Sequence, residues 1–441
     1  GSDFRAAKWP DTVRPCRPPM GLNSNDRAIM RFTMLGHGLV HWFELSIPIF
    51  LVAWQEEFAV STTLVGLIVA LGYAPFGLGA LPAGALSDRF GPKRLVLVCF
   101  AGMTASFLAL SLAPSIYLIG AALVFWGIAA SVYHPAGMAL ISTGADQQGT
   151  VFAYHGIAGN LGITLGPFAA ATLLIFLDWS LVAALFALPG IAAILYGLSA
   201  EFDTTAAVDR EIDTEESNAL TLPTFLSNSK SLLASAFVVV FVLVAFEGLF
   251  YRGMLTFLPS ILADLPAMGD VSLSLGLQGF EPGDYIYVGL LVVGMGGQYV
   301  GGKLTDRVPV ERGLVVIFGV LAALALAFVP ASNAGLVALV VLCGLLGFFL
   351  FAIQPFYQVA VAQYTPPDTR GLSYGYTYLA EFGFGAASIA IGGFVLDEFV
   401  LGAFFAVLAV FALVGSALAV VLLVGEKRVA FIERYESEPA D

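Results

Sequence analysis

Charged side chains are scarce in this sequence. Asp, Glu, Lys and Arg make up 12% of the 441 residues, whereas 59% are hydrophobic. A soluble chain of this length needs a more polar surface. Apolar runs of about 18–25 residues recur along the chain, and such runs are typical of transmembrane helices. Because they are continuous rather than alternating, they favour helices over a β-barrel. The sequence predicts a polytopic all-α membrane protein.

Cysteines and basic residues are also few. The three cysteines, Cys16, Cys99 and Cys343, are scattered, so they predict neither a disulfide framework nor a cysteine-based metal site. The net charge of −13 argues against a nucleic-acid partner. No nucleotide-binding loop is present in the sequence, which excludes ATP as the energy source, and we expect no cofactor.

Twelve apolar spans are predicted, and basic residues orient them. Of the 19 Lys and Arg residues, all but Arg252 lie in tails, in loops on one side or at the span ends facing those loops. By the positive-inside rule this side is cytoplasmic, and both termini lie there. The protein is thus expected to be a multi-pass protein of the plasma membrane. The spans are 30–54, 62–86, 94–112, 116–143, 148–177, 179–200, 231–261, 285–306, 311–330, 333–364, 370–396 and 399–424.

Two polar stretches divide the chain. Residues 201–228 are acidic and are expected to form a cytoplasmic linker, whereas 262–284 are expected to form an ordered external loop. We expect residues 1–19 to be non-native and Met20 to be the native start. The predicted units are a tail at 1–29, bundles of six helices at 30–200 and 229–424, the linker between them, and a tail at 425–441.

The two halves repeat. Gly84 and Asp88 of "PAGALSDRFG" recur 218 residues later in "VGGKLTDRVP". Similar pairs follow at offsets of 220 and 222, and "HWFELSIP" at 41–48 lies over "RGMLTFLP" at 252–259. A parallel repeat predicts two pseudo-symmetric six-helix bundles with a site at their interface.

The motif "GALSDRFGPKR" at 84–94 and its weaker copy "GKLTDR" at 302–307 resemble the loop signature of the major facilitator superfamily. "GHGLVHWFELSIP", "GLGALPAGALSDRFG" and "YHPAGMALIS" resemble the branch of this superfamily that contains fosmidomycin-resistance exporters. The resemblance covers the whole chain. It implies the major facilitator fold, in which spans 1, 4, 7 and 10 line a central cavity and spans 2, 5, 8 and 11 flank it.

By this resemblance, the signature loops form a conformational latch that closes the cytoplasmic side. The carboxylate of Asp88 can face a helix N-terminus, and basic side chains can anchor at the anionic membrane surface. The alternative is that these residues only fix the topology. The candidate latch residues are Gly84, Asp88, Arg89, Gly91, Lys93, Arg94, Gly302, Asp306 and Arg307.

Ionisable and polar residues fall on predicted spans 1, 4, 5, 7, 10 and 11. Such groups are costly at membrane depth, so they usually face a cavity or each other. The predicted cavity for substrate and protons contains His37, His41, Glu44, Tyr133, His134, Tyr154, His155, Asn160, Glu247, Tyr251, Arg252, Gln354, Tyr376 and Glu381. His41 and Arg252 are expected to face one another across the pseudo-two-fold axis, as are His134 and Gln354.

Arg252 allows two interpretations. It either contacts an anionic or zwitterionic substrate or forms a buried salt bridge. Its better salt-bridge partner is Glu44, because Glu247 is five residues away and lies on a different face of the helix. Pro135 and Pro355 are predicted to free backbone carbonyls one turn earlier, with or without a role in ligand binding.

One helical face carries His37, His41 and Glu44. Viewed along the helix axis, His41 lies about 40° to one side of His37, and Glu44 lies about 20° to the other side of His37. This spacing suits a proton or substrate site, a structural network or a transition-metal site. The metal reading is weakened because the second half has no histidine to complete a ligand set, and we assign no metal.

The sequence predicts a secondary active transporter that works by alternating access, with proton-coupled export (antiport) of a small organic anion, zwitterion or drug-like solute. Glu44, His41 and Glu247 are the leading proton carriers. The expected partners are this solute, protons and the lipid bilayer, and we expect a monomer. The alternatives are a uniporter or metal-ion carrier, an intramembrane enzyme, or a receptor of the same fold.

Overall fold

The computed structural model describes residues 22–207, 222–266, 268, 281–365 and 370–437. Eleven helical stretches in these residues are long and apolar enough to cross a membrane. They correspond to all predicted spans except span 8, whose many glycines lower its hydropathy, but which is helical over Pro282–Thr305. The fold is therefore that of an all-α membrane protein.

The helix bounds are as follows. Span 1 comprises Ser24–Glu44 and Ile47–Phe58, span 2 Thr62–Leu78 and Ala80–Phe90, span 3 Pro92–Ser111, span 4 Ile116–Ala130 and Tyr133–Gly144, span 5 Gln148–Leu174 and span 6 Trp179–Ser199. After a short helix at Leu222–Leu233 come span 7 at Phe237–Ala263, span 8, span 9 at Val310–Ala334 and span 10 at Leu336–Tyr364. Span 11 comprises Arg370–Tyr378, a π-helical turn at Leu379–Phe384 and Ala387–Glu398, and span 12 is Leu401–Ser437.

Three spans change their helical geometry close to predicted site residues. Span 1 breaks immediately after Glu44, and span 4 breaks just before His134. In span 11 the π-helical turn contains Glu381. π-turns are rare and are often found at functional sites. Pro355 interrupts nothing, because span 10 continues through it as one helix.

Equivalent spans pack in the same way in the two halves. Span 1 packs on span 5 as span 7 packs on span 11, and spans 2 and 4 pair as do spans 8 and 10. Spans 3 and 6 likewise correspond to spans 9 and 12. Between the halves, span 2 packs on span 11, span 5 on span 8, and span 1 on span 7. The chain thus forms two pseudo-symmetric six-helix bundles, as the repeat predicted.

The polar stretches are only partly described. Thr143 in span 4 donates its hydroxyl to the carbonyl of Thr204 at 2.6 Å, and Asn25 in span 1 donates to the carbonyl of Asp203 at 3.1 Å. The start of the predicted linker therefore lies against spans 1 and 4, and the helix Leu222–Leu233 occupies its last part. Residues 1–21, 208–221 and most of the external loop lie outside the described residues, whereas residues 24–29 of the predicted N-terminal tail belong to the first helix of span 1. The bundle boundaries stay a prediction.

Glycines allow the closest helix contacts. In span 8, a Cβ added at Gly297 would lie 1.9 Å from the backbone oxygen of Phe348 in span 10. Spans 4 and 2 are as close in the first half, where a Cβ added at Gly127 would lie 2.1 Å from the backbone oxygen of Gly72, and the equivalent Gly347 would meet the backbone oxygen of Leu290 at 2.2 Å. Helices in membranes associate through such close packing of small residues. At Gly296, next to Gly297, nothing lies within 4 Å of an added Cβ.

We expect Gly297→Ala to lower the thermal unfolding midpoint of the detergent-solubilised protein, because the methyl group forces spans 8 and 10 apart. Gly296→Ala is the matched control. It should leave the midpoint unchanged or raise it, since alanine in a helix is more stable than glycine by about 1 kcal/mol. Equal midpoints for the two variants would contradict this packing.

Candidate functional site

An ion pair lies at the interface between the halves. The guanidinium of Arg252 in span 7 contacts the carboxylate of Glu44 in span 1, and their side chains are only 3% and 1% exposed. Arg252 thus has the partner that its spacing from Glu247 favoured. The expected pair of His41 and Arg252 meets through Glu44, whose two carboxylate oxygens contact one partner each. Leaving either charge without its partner would be costly at this depth.

Aromatic rings surround the Arg252 guanidinium. Its central carbon lies 4.8 Å from the ring centroid of Tyr73, 5.4 Å from that of Tyr251 and 4.5 Å from that of Phe382. Tyr73 belongs to span 2 and also donates its hydroxyl to the backbone carbonyl of Glu44 at 2.5 Å. Rings at these distances attract the cation through their quadrupoles. They hold the guanidinium in a pocket made by both halves.

Histidines extend this polar cluster into the first half. The Nδ1 atom of His41 lies 2.6 Å from the Glu44 carboxylate, and its Nε2 atom lies 3.1 Å from Nε2 of His37. Nδ1 of His37 is in turn 2.8 Å from the backbone oxygen of His155. Arg252, Glu44, His41 and His37 therefore form a continuous chain from span 7 to the contact between spans 1 and 5.

Two further carboxylates lie buried in the second half. Both carboxylate oxygens of Glu247 are buried without a hydrogen-bond partner in the described part of the chain. Glu381 lies within electrostatic reach of Glu247 and accepts a hydrogen bond of 2.9 Å from the Tyr357 hydroxyl. The helices are close here, since a Cβ added at Gly248 would lie 2.4 Å from the Glu381 backbone oxygen. A proton or another cation can occupy such a pair of carboxylates.

His134 is not placed opposite Gln354. Its ring packs on span 11, 4.9 Å from the ring of Tyr378, whereas Gln354 accepts a hydrogen bond of 3.2 Å from Gln298. The expected pairing is therefore wrong in this structure. Its physical reason is that spans 2 and 11 are in contact between the halves, which brings span 11 rather than span 10 beside span 4.

The other predicted cavity residues divide into two groups. Tyr133 is buried, donates its hydroxyl to the Thr33 carbonyl and stacks on His37. Tyr154 is 44% exposed, and Tyr376 packs against Phe241 rather than at Arg252. Asn160 is half-buried in span 5. Tyr154, Tyr376 and Asn160 make no contact with the series of polar side chains that runs from Arg252 to His37.

Sequence reasoning missed four aromatic residues of this cluster. Tyr73, Tyr357, Tyr378 and Phe382 contact Arg252, Glu381 or His134. They lie in apolar spans rich in aromatic residues, so nothing in the sequence distinguished them from the other aromatic residues of these spans. Only their placement on spans 2, 10 and 11, the neighbours of the charged residues, brings them to the site.

The candidate latch residues lie away from this cluster. Gly91 ends span 2 with a φ of 84°, in the left-handed region that favours glycine. Lys93 donates to the carbonyl of Ala200 at 2.5 Å and lies over the ring of Phe202. It thereby ties span 3 to the end of span 6. At Gly84, nothing lies within 4 Å of an added Cβ.

Of the remaining latch residues, Arg89, Arg94, Asp306 and Arg307 are exposed. The Arg89 guanidinium lies 5.2 Å from the ring centroid of Phe90. A Cβ added at Gly302 would touch only the ring of Pro355, at 4.0 Å. The side chain of Asp88 lies outside the described part of the structure. These positions are compatible with a surface loop, and the latch stays a prediction.

Two repeated six-helix bundles with a buried charged site between them define a polytopic membrane protein of the carrier type. The sequence matches the family model of the Major Facilitator Superfamily over residues 33–389. The chain belongs to this superfamily, whose members are transporters rather than enzymes.

The chain is similar to an uncharacterised MFS-type transporter, YqjV, of Bacillus subtilis, with 26% identity over 125 residues, which cover 28% of this chain and 30% of the relative. It is also similar to a Na⁺, Li⁺, K⁺/H⁺ antiporter of Planococcus maritimus, with 26% identity over 177 residues, or 38% of this chain and 40% of the relative. The matched regions thus span less than half of each relative.

Among solved structures, the fold resembles that of a bacterial homologue of the human lysosomal transporter Spinster, in an inward-facing and unoccupied conformation. The TM-score is 0.69 at 14% identity, and the match covers 90% of this chain and 97% of that one. This likeness shows the fold.

We expect Arg252→Met and Glu44→Gln each to lower the free energy of unfolding by about 3–5 kcal/mol, because each leaves one buried charge unpaired. The double variant should lose less than the sum of the two, since it buries neither charge. Thermal unfolding midpoints in detergent measure this cycle. Glu57→Gln, at an exposed position, is the control and should have little effect. Additive losses would show that the pair is not coupled.

Proposed function

We propose that the protein is a secondary transporter that exports a small organic anion, zwitterion or drug-like solute by alternating access, coupled to proton movement. Membership of the superfamily supports the class of activity. The observation that carries the proposal is the buried pair of Arg252 and Glu44, which joins span 7 of one half to span 1 of the other. The two halves would separate at this pair when the site opens.

The pair offers complementary contacts to a solute that carries both charges. An anionic group can replace Glu44 at the Arg252 guanidinium, and a cationic group can replace Arg252 at the Glu44 carboxylate. The rings of Tyr73, Tyr251 and Phe382 provide apolar and aromatic surface around the same point. A zwitterion or an amphiphilic drug fits this combination best.

Protonation provides the coupling. A proton on Glu44 removes the charge that holds Arg252, and the rings of Tyr251 and Phe382 in its own half still face the guanidinium. The halves can then move without leaving an unpaired carboxylate in the membrane. A cationic solute group and a proton compete for the same carboxylate. Solute and proton therefore occupy the site in turn, which is the requirement for antiport. His41, hydrogen-bonded to Glu44, and Glu247 are the further proposed proton carriers.

Proteoliposome transport tests the coupling. The solute is chosen as the compound that raises the unfolding midpoint most in a panel of organic anions, zwitterions and amphiphilic cations at two pH values. We expect its flux to follow an imposed pH gradient. Glu44→Gln should lose the gradient-driven flux but keep solute-for-solute exchange, because it mimics the protonated state permanently.

Glu311→Gln is the matched control, since Glu311 is also a buried glutamate but accepts from Tyr364 between spans 9 and 10. It should retain gradient-driven flux. Wild-type flux that ignores the gradient would refute proton coupling, and no solute flux at all would refute transport of this panel.

In the proposed topology, the protein lies in the plasma membrane and both of its termini are in the cytoplasm. We propose that it is a monomer. The test uses single cysteines in a variant with Cys16 replaced by Ser, since Cys99 and Cys343 are buried. In intact cells, an impermeant maleimide should label Glu57→Cys but not Glu201→Cys, although both positions are exposed. After lysis both should react. The reverse labelling pattern would invert the topology.

Exchange of a monovalent cation for protons is a second candidate function. Glu247 and Glu381 supply buried carboxylates near one another, and one relative bears the name of a Na⁺, Li⁺, K⁺/H⁺ antiporter. In acidified vesicles loaded with a pH-sensitive dye, added NaCl, LiCl or KCl should then release protons. Glu247→Gln should abolish the release, whereas Glu311→Gln should not. Unchanged pH on addition of all three salts would exclude this function.

A further inference from the structure

All four histidines of the chain converge on one point between spans 1, 4 and 5. The ring of His37 stacks on that of His155 with centroids 3.9 Å apart. The ring of His134 lies 5.3 Å from His37 and 5.8 Å from His41. The transport proposal uses His41 as a proton carrier and leaves the other three histidines without a role.

The hydrogen bonds determine where the imidazole protons lie. Nδ1 of His37 faces the carbonyl oxygen of His155, which can only accept, so this nitrogen carries a proton. Nδ1 of His41 faces the carboxylate of Glu44, which contacts Arg252 through its other oxygen and accepts the imidazole proton. Each neutral ring therefore carries its single proton on Nδ1.

The two remaining nitrogens point at one another. Nε2 of His37 and Nε2 of His41 are 3.1 Å apart, and in neutral rings both carry a lone pair. Two lone pairs at this distance repel and cannot form a hydrogen bond. A cation between them removes the repulsion, and the cation is either a shared proton or a metal ion.

The surroundings favour a metal ion. Ligand nitrogens of His37, His41 and His134 all lie within 4.8 Å of one another. In a tetrahedral zinc site, Zn–N distances of about 2.0–2.1 Å separate neighbouring ligand nitrogens by roughly 3.3 Å. Metal-bound histidines usually donate the other ring proton to a carboxylate or a backbone carbonyl. His41 and His37 do so to Glu44 and His155, respectively.

We propose that His37, His41 and His134 bind one divalent transition-metal ion through their ring nitrogens. Three imidazoles suit Zn²⁺, Co²⁺, Ni²⁺ or Cu²⁺ rather than the oxygen-seeking Mg²⁺ or Ca²⁺. A fourth position is left for water or a solute group, as in open three-histidine sites. The fourth histidine, His155, orients His37 through its backbone and stacks on its ring, and it is not a ligand.

The ion and a proton compete for the same lone pairs. Metal affinity should therefore fall as the pH falls, by about tenfold per unit for each proton displaced. The charged and titratable groups that face the site are Glu44 of span 1, Arg252 of span 7, Tyr133 of span 4, His155 of span 5, and Tyr378 and Glu381 of span 11. Of these, Glu44 favours the bound cation, whereas Arg252 opposes it.

Metal titration of the full-length, metal-free protein in detergent tests the proposal. The probes are Zn²⁺, measured by calorimetry, and Co²⁺, measured by its visible d–d absorption, which is intense for tetrahedral coordination. We expect one ion per chain. His37→Gln, His41→Gln and His134→Gln should each weaken binding by more than about 100-fold, the upper loss seen on removal of a mere supporting partner.

His155→Gln is the matched control and should bind the ion within a few-fold of the wild type. An equal loss in His155→Gln would overturn the assignment of the three ligands. Wild-type protein that binds neither ion would overturn the metal site and leave the shared proton as the cation. If a variant does not give a monodisperse peak in size-exclusion chromatography, it is set aside. The stoichiometry and pH dependence of metal binding by the wild type then decide whether the site exists. The measurement involves no transport, so its outcome is independent of the proposed transport function.

Discussion

Arg252 and Glu44 are opposite charges that neither half of the protein can bury alone. A charge at membrane depth costs about 2.5–3.5 kcal/mol even on an insertion scale, and more when it is unpaired. Span 7 supplies the cation and span 1 the anion. Their pairing holds the two bundles together and also allows a controlled separation, since any group that neutralises or replaces one partner makes separation less costly. The rings around Arg252 and the histidines behind Glu44 depend on this contact.

Breaks in the helices place the site. Span 1 ends its first helix at Glu44, span 4 resumes at Tyr133, and the π-helical turn of span 11 carries Glu381. At such positions backbone groups leave the regular pattern, and side chains can turn towards a neighbouring span. Among the side chains that the structure describes, none in spans 3, 6, 9 and 12 belongs to the polar cluster. Local irregularity and polar chemistry therefore coincide in spans 1, 4 and 11, whereas Arg252 and Glu247 lie on the unbroken helix of span 7.

The second half carries a polar group that has no equivalent in the first. Glu247 and Glu381 are buried close to one another, with Tyr357 donating to Glu381, whereas the first half concentrates histidines. The backbone repeat is thus filled with different chemistry in each half: nitrogen bases on one side and carboxylates on the other. Arg252 and Glu44 connect the two groups, so a change of protonation on one side alters the electrostatic field on the other.

The sequence by itself determined the membrane class, the spans, the repeat and the identity of most ionisable site residues, because apolar run length and the cost of buried charge leave a strong local signal. It also favoured Glu44 as the partner of Arg252 from helical spacing. Only the tertiary structure decided that Glu44 separates His41 from Arg252, that His134 faces span 11 rather than Gln354, and that Tyr73 and Phe382 enclose the guanidinium. These contacts depend on how spans 2 and 11 meet between the halves, and helical periodicity within one span carries no information about that.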